Sequence, residues 1–167
     1  NVAPSYLGGL QLMLPNSAQL CRSLPWFSHW RVVVSYPGTV ISTKAAREVL
    51  PVNYSRHHAI QYAGLLSRFV SAMYVQDEAD ALDSMHDVLA EPYRLSLIPE
   101  LLPLRAQMLE QGIVHLGISG SGPTLFAVCK SDVHAQIAAK IFHAQYEKNT
   151  DAMTHICQMA KQGARQL

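Results

Sequence analysis

The stretch IVHLGISGSGPTLFAVC (Ile113–Cys129) joins two apolar segments through a run of small residues. Residues 113–118 and 124–129 have the apolar and β-branched composition of strands. Glycines in such a run permit backbone conformations and close approaches that other residues do not. The stretch therefore predicts two strands joined by a rigid loop, and pattern alone favours a ligand-binding loop and a structural hairpin equally. We call residues 117–122 the glycine loop; its small residues are Gly117, Ser119, Gly120, Ser121 and Gly122.

Three common catalytic or nucleotide-binding motifs do not match the glycine loop. A P-loop requires a lysine, and none is present there. A dinucleotide-binding fingerprint requires a third glycine at the start of a helix, but Leu125 occupies that position and begins a predicted strand. A hydrolase elbow requires glycines on both sides of the serine at two-residue spacing, and neither Ser119 nor Ser121 has both.

Outward from the loop, the hydrophobic pattern predicts alternating strands and helices. The predicted strands span 8–14, 30–36, 113–118, 124–129 and 154–159, and the predicted helices span 42–50, 57–74, 77–90, 101–111 and 133–146. We expect residues 15–25 to be a turn-rich connection and Pro92 to end the helix before it. Apolar residues at helical spacing between 57 and 74 predict a well-buried helix.

From Trp30 onward, the predicted order is strand, helices, strand, strand, helix, strand. This is the order of the ferredoxin-like split βαβ unit. The sequence therefore predicts an α+β fold with an antiparallel four-stranded sheet and helices on one face.

Composition limits the classes of function. The chain has 167 residues, 49% hydrophobic and 15% charged, as expected for one globular domain with a surface that meets another domain. A net charge of +1 gives no basic patch for nucleic acid or an anionic membrane. Cys21, Cys129 and Cys157 have no close pairing, so we predict reduced thiols and a cytoplasmic protein. The adjacent His57 and His58 form no metal-binding pattern, and no metal site is predicted.

Two arginines are the strongest candidates for ligand binding. A guanidinium binds a carboxylate through two parallel hydrogen bonds, and a proline-fixed turn orients Arg94. In isolation, the pattern favours a solvated or ion-paired surface position for each of Arg47 and Arg94. Thr43 fits a helix cap better than a substrate contact. Glu91 is either a partner that orients Arg94 or a helix-end acid.

His115 lies two residues before the glycine loop, which suggests a general base. The pattern favours a half-buried strand histidine instead. Asp83 and Asp87 fit the solvated face of their predicted helix. Phe126 is the one candidate for base stacking, and this makes RNA binding weakly supported.

The segment Gly117–Phe126 resembles the third signature of the GHMP small-molecule kinases, in the form found in homoserine kinases. Further blocks fall in the same order as in that family: 1–4 with 7–10, 36–38 with 42–47, and 91–94. The resemblance covers almost the whole chain. It implies an enzyme that transfers the γ-phosphoryl group of ATP to the hydroxyl of L-homoserine, in threonine biosynthesis.

The resemblance also implies roles for individual residues. Asn1, Thr43, Arg47 and Arg94 would bind the amino acid, and the glycine loop would lie near the phosphates. The family's nucleotide-holding loop precedes the block that matches Asn1 and does not occur here. We therefore expect residues 1–25 to be a remnant of an N-terminal GHMP domain with its connection, and residues 26–167 to be the C-terminal domain. ATP and Mg²⁺ would be held mainly by the other half, and this half would be inactive alone.

Two alternatives stay open at this point. One is another GHMP kinase, such as a mevalonate-pathway or sugar kinase. The other is a ferredoxin-like module without catalysis that binds a ligand or forms a homodimer.

Overall fold

A computed structural model describes residues 2–146 and 148–165. The strands are β1 (Leu10–Met13), β2 (Cys21–Leu24), β3 (Arg31–Tyr36), β4 (His115–Ile118), β5 (Leu125–Cys129) and β6 (Met153–Cys157). The helices are α1 (Val2–Leu7), α2 (Thr43–Glu48), α3 (Arg56–Val75), α4 (Glu78–Asp83), α5 (Glu91–Arg94), α6 (Leu101–Glu110) and α7 (Asp132–Tyr146).

Four strands form the main sheet in the order β4-β5-β3-β6, and every neighbouring pair is antiparallel. Val33 in β3 lies opposite Ala127 of β5 on one side and Ile156 of β6 on the other. This order confirms the ferredoxin-like topology predicted from the sequence. A separate hairpin pairs β1 with β2.

The period-two alternation of the strands divides the core between the two faces of the sheet. Leu125, Ala127 and Cys129 of β5 face α6 and α7, with Phe142 fully buried between them. On the opposite face, Val128 packs in a second cluster with residues of α3 and α4. The prediction of helices on one face therefore needs a correction, because α6 and α7 cover one face of the sheet while α3 and α4 pack against the other.

Serine or aspartate side chains cap α2, α3 and α4, as expected for residues that accept a hydrogen bond from an exposed backbone amide. The Ser42 hydroxyl accepts from the Ala45 amide and the Ser55 hydroxyl accepts from the His58 amide. Thr43 is therefore the first residue of α2 and not its cap. The prediction that Thr43 caps this helix is wrong.

The predicted helix over 77–90 is wrong in its second half. α4 ends at Asp83, and the chain is irregular until α5. Pro92 does not stop a helix but lies in the first turn of α5, where its missing amide needs no partner. The prediction for 15–25 also missed a strand, since β2 pairs with β1. α1 was not predicted.

The prediction that the helix over 57–74 is well buried is also wrong. Ile60 is 65% exposed, and the buried residues of α3 are Ala72 and Met73 near its end. Only this last part of α3 packs in the second cluster. The periodicity thus identified the helix correctly but not the extent of its contacts.

Among the described residues, no helix has the length and apolar character needed to cross a membrane.

Candidate functional site

The glycine loop is closed by its own backbone. The Ser119 amide donates to the Thr124 carbonyl at 2.8 Å, and the Gly122 amide donates to the Ser119 carbonyl at 3.1 Å. In the part of the chain that the structure describes, no acceptor meets the amides of Gly120 and Ser121. The tip of the loop therefore presents two backbone donors, beside the exposed hydroxyl of Ser119. Amides grouped in this way suit an anion.

Two glycines of the loop have positive φ for different reasons. Gly122, with φ +83°, packs so closely that an added Cβ would lie 2.8 Å from Cδ1 of Ile98. Gly120, with φ +63°, has no other atom within 4 Å of such a Cβ. The base of the loop is thus fixed by packing, whereas its tip is open to an approaching group.

Arg94 connects the glycine loop with two helices. From the end of α5, its Nη1 donates to the Gly120 carbonyl at 3.0 Å, and its Nε donates to the Ala46 carbonyl at 3.4 Å. The blocks 42–47, 91–94 and the glycine loop, which are far apart in the sequence, therefore meet at one guanidinium.

Arg47 follows Ala46 directly, so it extends from the part of α2 that Arg94 contacts. Its side chain and that of Thr43 are exposed. No carboxylate in the described parts of the chain forms an ion pair with Arg47 or Arg94. Arg94, beside the open backbone donors, and the exposed Arg47 on the adjoining helix therefore have guanidinium groups available for an anionic ligand.

Glu91 pairs with Arg105, a residue that the sequence analysis did not single out. The two Nη atoms of Arg105 donate to the two carboxylate oxygens of Glu91 at 2.8 and 2.7 Å. Nη2 of Arg105 also donates to the Leu116 carbonyl at 2.8 Å. The pair ties α5 to α6 and β4, so Glu91 holds the helix that carries Arg94 without touching Arg94 itself. The separation of 91 and 105 follows no helix or strand period, so no sequence signal pointed to this pair.

His115 is more buried than predicted, with 8% of its surface exposed. Burial, together with the nearby charges of His86 and Arg105, lowers the pKa of His115 to about 4. The imidazole is therefore neutral near pH 7. Asn1, the remaining predicted substrate residue, lies outside the described residues.

No three metal-binding side chains lie together in the described ranges. These residues do not by themselves fit a magnesium ion. Cys129 is buried, which raises the pKa of its thiol to about 12 and makes it a poor nucleophile near neutral pH. The chemical capacity of the described site is therefore anion binding and positioning.

Residues 69–148 match the family model described as GHMP kinases C terminal. This part of the chain is similar to the C-terminal domain of the GHMP kinases. This result confirms the family recognised from the glycine loop and the accompanying blocks.

Solved structures of GHMP kinases superpose on most of the chain. Homoserine kinase from Cytophaga hutchinsonii matches with a TM-score of 0.88 at 27% identity, over 98% of this chain and 52% of that one. L. major mevalonate kinase matches with a TM-score of 0.70 at 17% identity, over 98% and 52%. Streptococcus pneumoniae phosphomevalonate kinase matches with a TM-score of 0.56 at 14% identity, over 83% of this chain and 43% of that one. The last two likenesses concern the fold alone. The chain spans about half the length of these GHMP kinases.

Proposed function

We propose that the chain is the C-terminal, substrate-binding part of a homoserine kinase. The whole enzyme would transfer the γ-phosphoryl group of ATP to the hydroxyl of L-homoserine, in the cytoplasm, as a step of threonine biosynthesis. The observation that carries the proposal is the position of Arg94, which joins α2 to the tip of the glycine loop without a carboxylate partner in the described residues. The 27% identity to a homoserine kinase supports this substrate.

The chemistry of the substrate agrees with two arginines. L-Homoserine carries one carboxylate, and its reacting hydroxyl must be held at a defined distance from that anchor. Arg94 is oriented by two backbone carbonyls, so its guanidinium is fixed before a ligand binds. In the proposal, Arg94 and Arg47 hold the carboxylate and Thr43 lies at the same site. Asn1 completes the predicted contacts.

Phosphoryl transfer depends on positioning and on compensation of phosphate charge. The open amides of Gly120 and Ser121 would donate to phosphate oxygens, while the backbone of Ser119 and Gly122 closes the loop and Gly117 pairs with Phe126 in the sheet. ATP and Mg²⁺ would be held mainly by an N-terminal GHMP domain. Magnesium, when bound, compensates phosphate charge; the residues described here orient the acceptor.

A mevalonate-type kinase is the second candidate, because its fold also covers this chain. Mevalonate is a carboxylate too, so the arginines alone do not distinguish the two substrates. The blocks 91–94 and 117–126 favour homoserine. A ligand-binding or dimerisation module without catalysis would require neither ATP nor a phosphoryl acceptor.

A panel of acceptors tests the proposal. The longer enzyme containing this chain is assayed for ADP release with L-homoserine, mevalonate, phosphomevalonate and no acceptor. We expect ADP release to require L-homoserine, with O-phosphohomoserine as the product in ³¹P NMR spectra. Equal or faster turnover of mevalonate would replace homoserine kinase with the second candidate. No turnover with any acceptor, in an enzyme shown to bind ATP, would contradict both.

A further inference from the structure

An apolar cavity lies behind the glycine loop, between the middle of α3 and the face of the sheet that α6 and α7 leave uncovered. Its volume is about 470 Å³, within the range of small-molecule sites. Tyr62 and Leu66 of α3 form one wall, Phe126 and Val128 of β5 form the other, and Trp26 closes one side. We call this space the apolar cavity.

Two polar side chains that line the cavity have no hydrogen-bond partner among the described residues, namely His115 and the indole nitrogen of Trp26. His115 is 8% exposed, lines the cavity, and makes no side-chain hydrogen bond to any described residue. A Cβ added to Gly117 would lie 3.2 Å from its Nε2, so the absence of a side chain there leaves this nitrogen open to the cavity. Burying an imidazole without a hydrogen bond costs free energy, which a bound polar group would recover.

The charges around the cavity define the ligand further. Among the described lining residues are two carboxylates and no lysine or arginine. Both carboxylates are already engaged: Glu91 by Arg105, and Asp87 by the amides of Leu89 and Ala90. An anion would have no lysine or arginine as a partner here, and His86, the other imidazole of the lining, belongs to an exposed residue. The cavity therefore differs in chemistry from the arginine site and does not suit a free amino acid.

From this arrangement we infer that the apolar cavity is a binding site for a neutral, mainly apolar small molecule carrying one hydroxyl group. The apolar part of the ligand lies between α3 and the sheet, and its hydroxyl forms a hydrogen bond with the neutral imidazole of His115. A hydroxyl matches either tautomer, because it both donates and accepts. The inference is independent of which substrate the kinase phosphorylates.

The test uses 2-naphthol, naphthalene and 2-naphthoate as ligands of the ¹⁵N-labelled longer enzyme that contains this chain, and binding is followed by NMR. We expect 2-naphthol to cause saturable shifts of the Gly117 and Ile118 amides and of the His115 imidazole nitrogens. Naphthalene should bind several-fold more weakly, because one net hydrogen bond corresponds to roughly a 2- to 13-fold change in affinity. The anionic 2-naphthoate should bind more weakly than 2-naphthol.

His115→Phe keeps an aromatic ring but removes the hydrogen-bonding nitrogens. We expect it to weaken 2-naphthol binding to the level of naphthalene, while His143→Phe, at an exposed site on α7, leaves it unchanged. If His115→Phe does not fold, the imidazole shifts of the unmodified chain still decide the question. Absence of saturable shifts at Gly117 and Ile118, or equal affinity of His115→Phe for 2-naphthol, would overturn the assignment. Shifts centred on the exposed Ile60 would do the same.

Discussion

Arg94 has the most defined geometry of the proposed substrate residues. Lysine at this position would keep the charge but lose the planar group that contacts two backbone carbonyls and binds a carboxylate through two hydrogen bonds. We predict that Arg94→Lys in the longer enzyme raises KM for L-homoserine at least tenfold and leaves KM for ATP within about twofold. Steady-state kinetics with each substrate varied measure both. Arg22→Lys, on β2, is the matched control, and an unchanged homoserine dependence would remove Arg94 from the site.

The pair formed by Glu91 and Arg105 should stabilise the fold. The two side chains are 16% and 31% exposed, so removing one charge leaves its partner poorly solvated. We predict that Glu91→Gln lowers the free energy of unfolding by about 1–3 kcal/mol. Urea unfolding at pH 7 measures the change, with the exposed Glu110→Gln at the end of α6 as control. Equal midpoints for the two variants would mean that the pair contributes nothing.

His115 should make stability depend on pH. Its pKa is about 4 in the folded chain and 6.5 in the reference state, so between these values the unfolded chain binds a proton that the folded chain excludes. The free energy of unfolding therefore keeps its full value, with respect to His115, above about pH 6.5. It decreases by up to about 3 kcal/mol as the pH falls toward 4. We predict that His115→Phe makes the dependence of unfolding free energy on pH shallower across this window, whereas His143→Phe does not. Parallel curves for His115→Phe and the unmodified chain would contradict the prediction.

At the scale of the element, α3 differs most from a helix of an isolated domain. Its middle is exposed and apolar, while Ala72 and Met73 near its end are buried, so the same helix has two environments. Under the proposed function, the exposed part would meet an N-terminal domain. A substitution in the exposed part can therefore be compared directly with a substitution in the buried part of the same helix.

We predict that Ile60→Ser changes the unfolding free energy of the chain by less than about 0.5 kcal/mol and lowers its self-association. Met73→Ser, at a fully buried site, should cost about 2–5 kcal/mol. Urea unfolding and sedimentation velocity measure the two properties. A large loss of stability in Ile60→Ser would show that the middle of α3 is packed in solution.

At the scale of the whole molecule, folding and catalysis should be separable. Two hydrophobic clusters, one on each face of the sheet, give the chain a core of its own. Its sequence contains neither a P-loop nor a glycine loop that opens a helix, so nothing in it is suited to enclose a triphosphate.

We predict that the 167-residue chain folds but shows no kinase activity and no measurable binding of magnesium-ATP. Circular dichroism checks folding, and calorimetry with magnesium-ATP checks binding, before and after the N-terminal half of the enzyme is added. Micromolar binding of magnesium-ATP by the chain alone would contradict the proposal that the N-terminal domain holds the nucleotide. An unfolded chain would instead show that the two halves depend on each other for stability.

Local pattern was sufficient for the strands on both sides of the glycine loop, for the order of elements after Trp30 and for the family. These features depend on alternation, helical spacing and glycine position, which are properties of neighbouring residues. The resemblance, which rests on these local patterns, placed Arg47, Arg94 and the glycine loop in one hypothetical site. It could not give the contacts between them.

Three-dimensional packing alone determines the rest. The partner of Glu91 is Arg105 and not Arg94, because α5 and α6 meet at β4. Helical periodicity shows that α3 has an apolar face but not what covers it, and much of that face is exposed. The environment of His115 likewise depends on α3, which lies far from it in the chain. Each of these features arises from contacts between distant segments, for which a linear pattern carries no distance information.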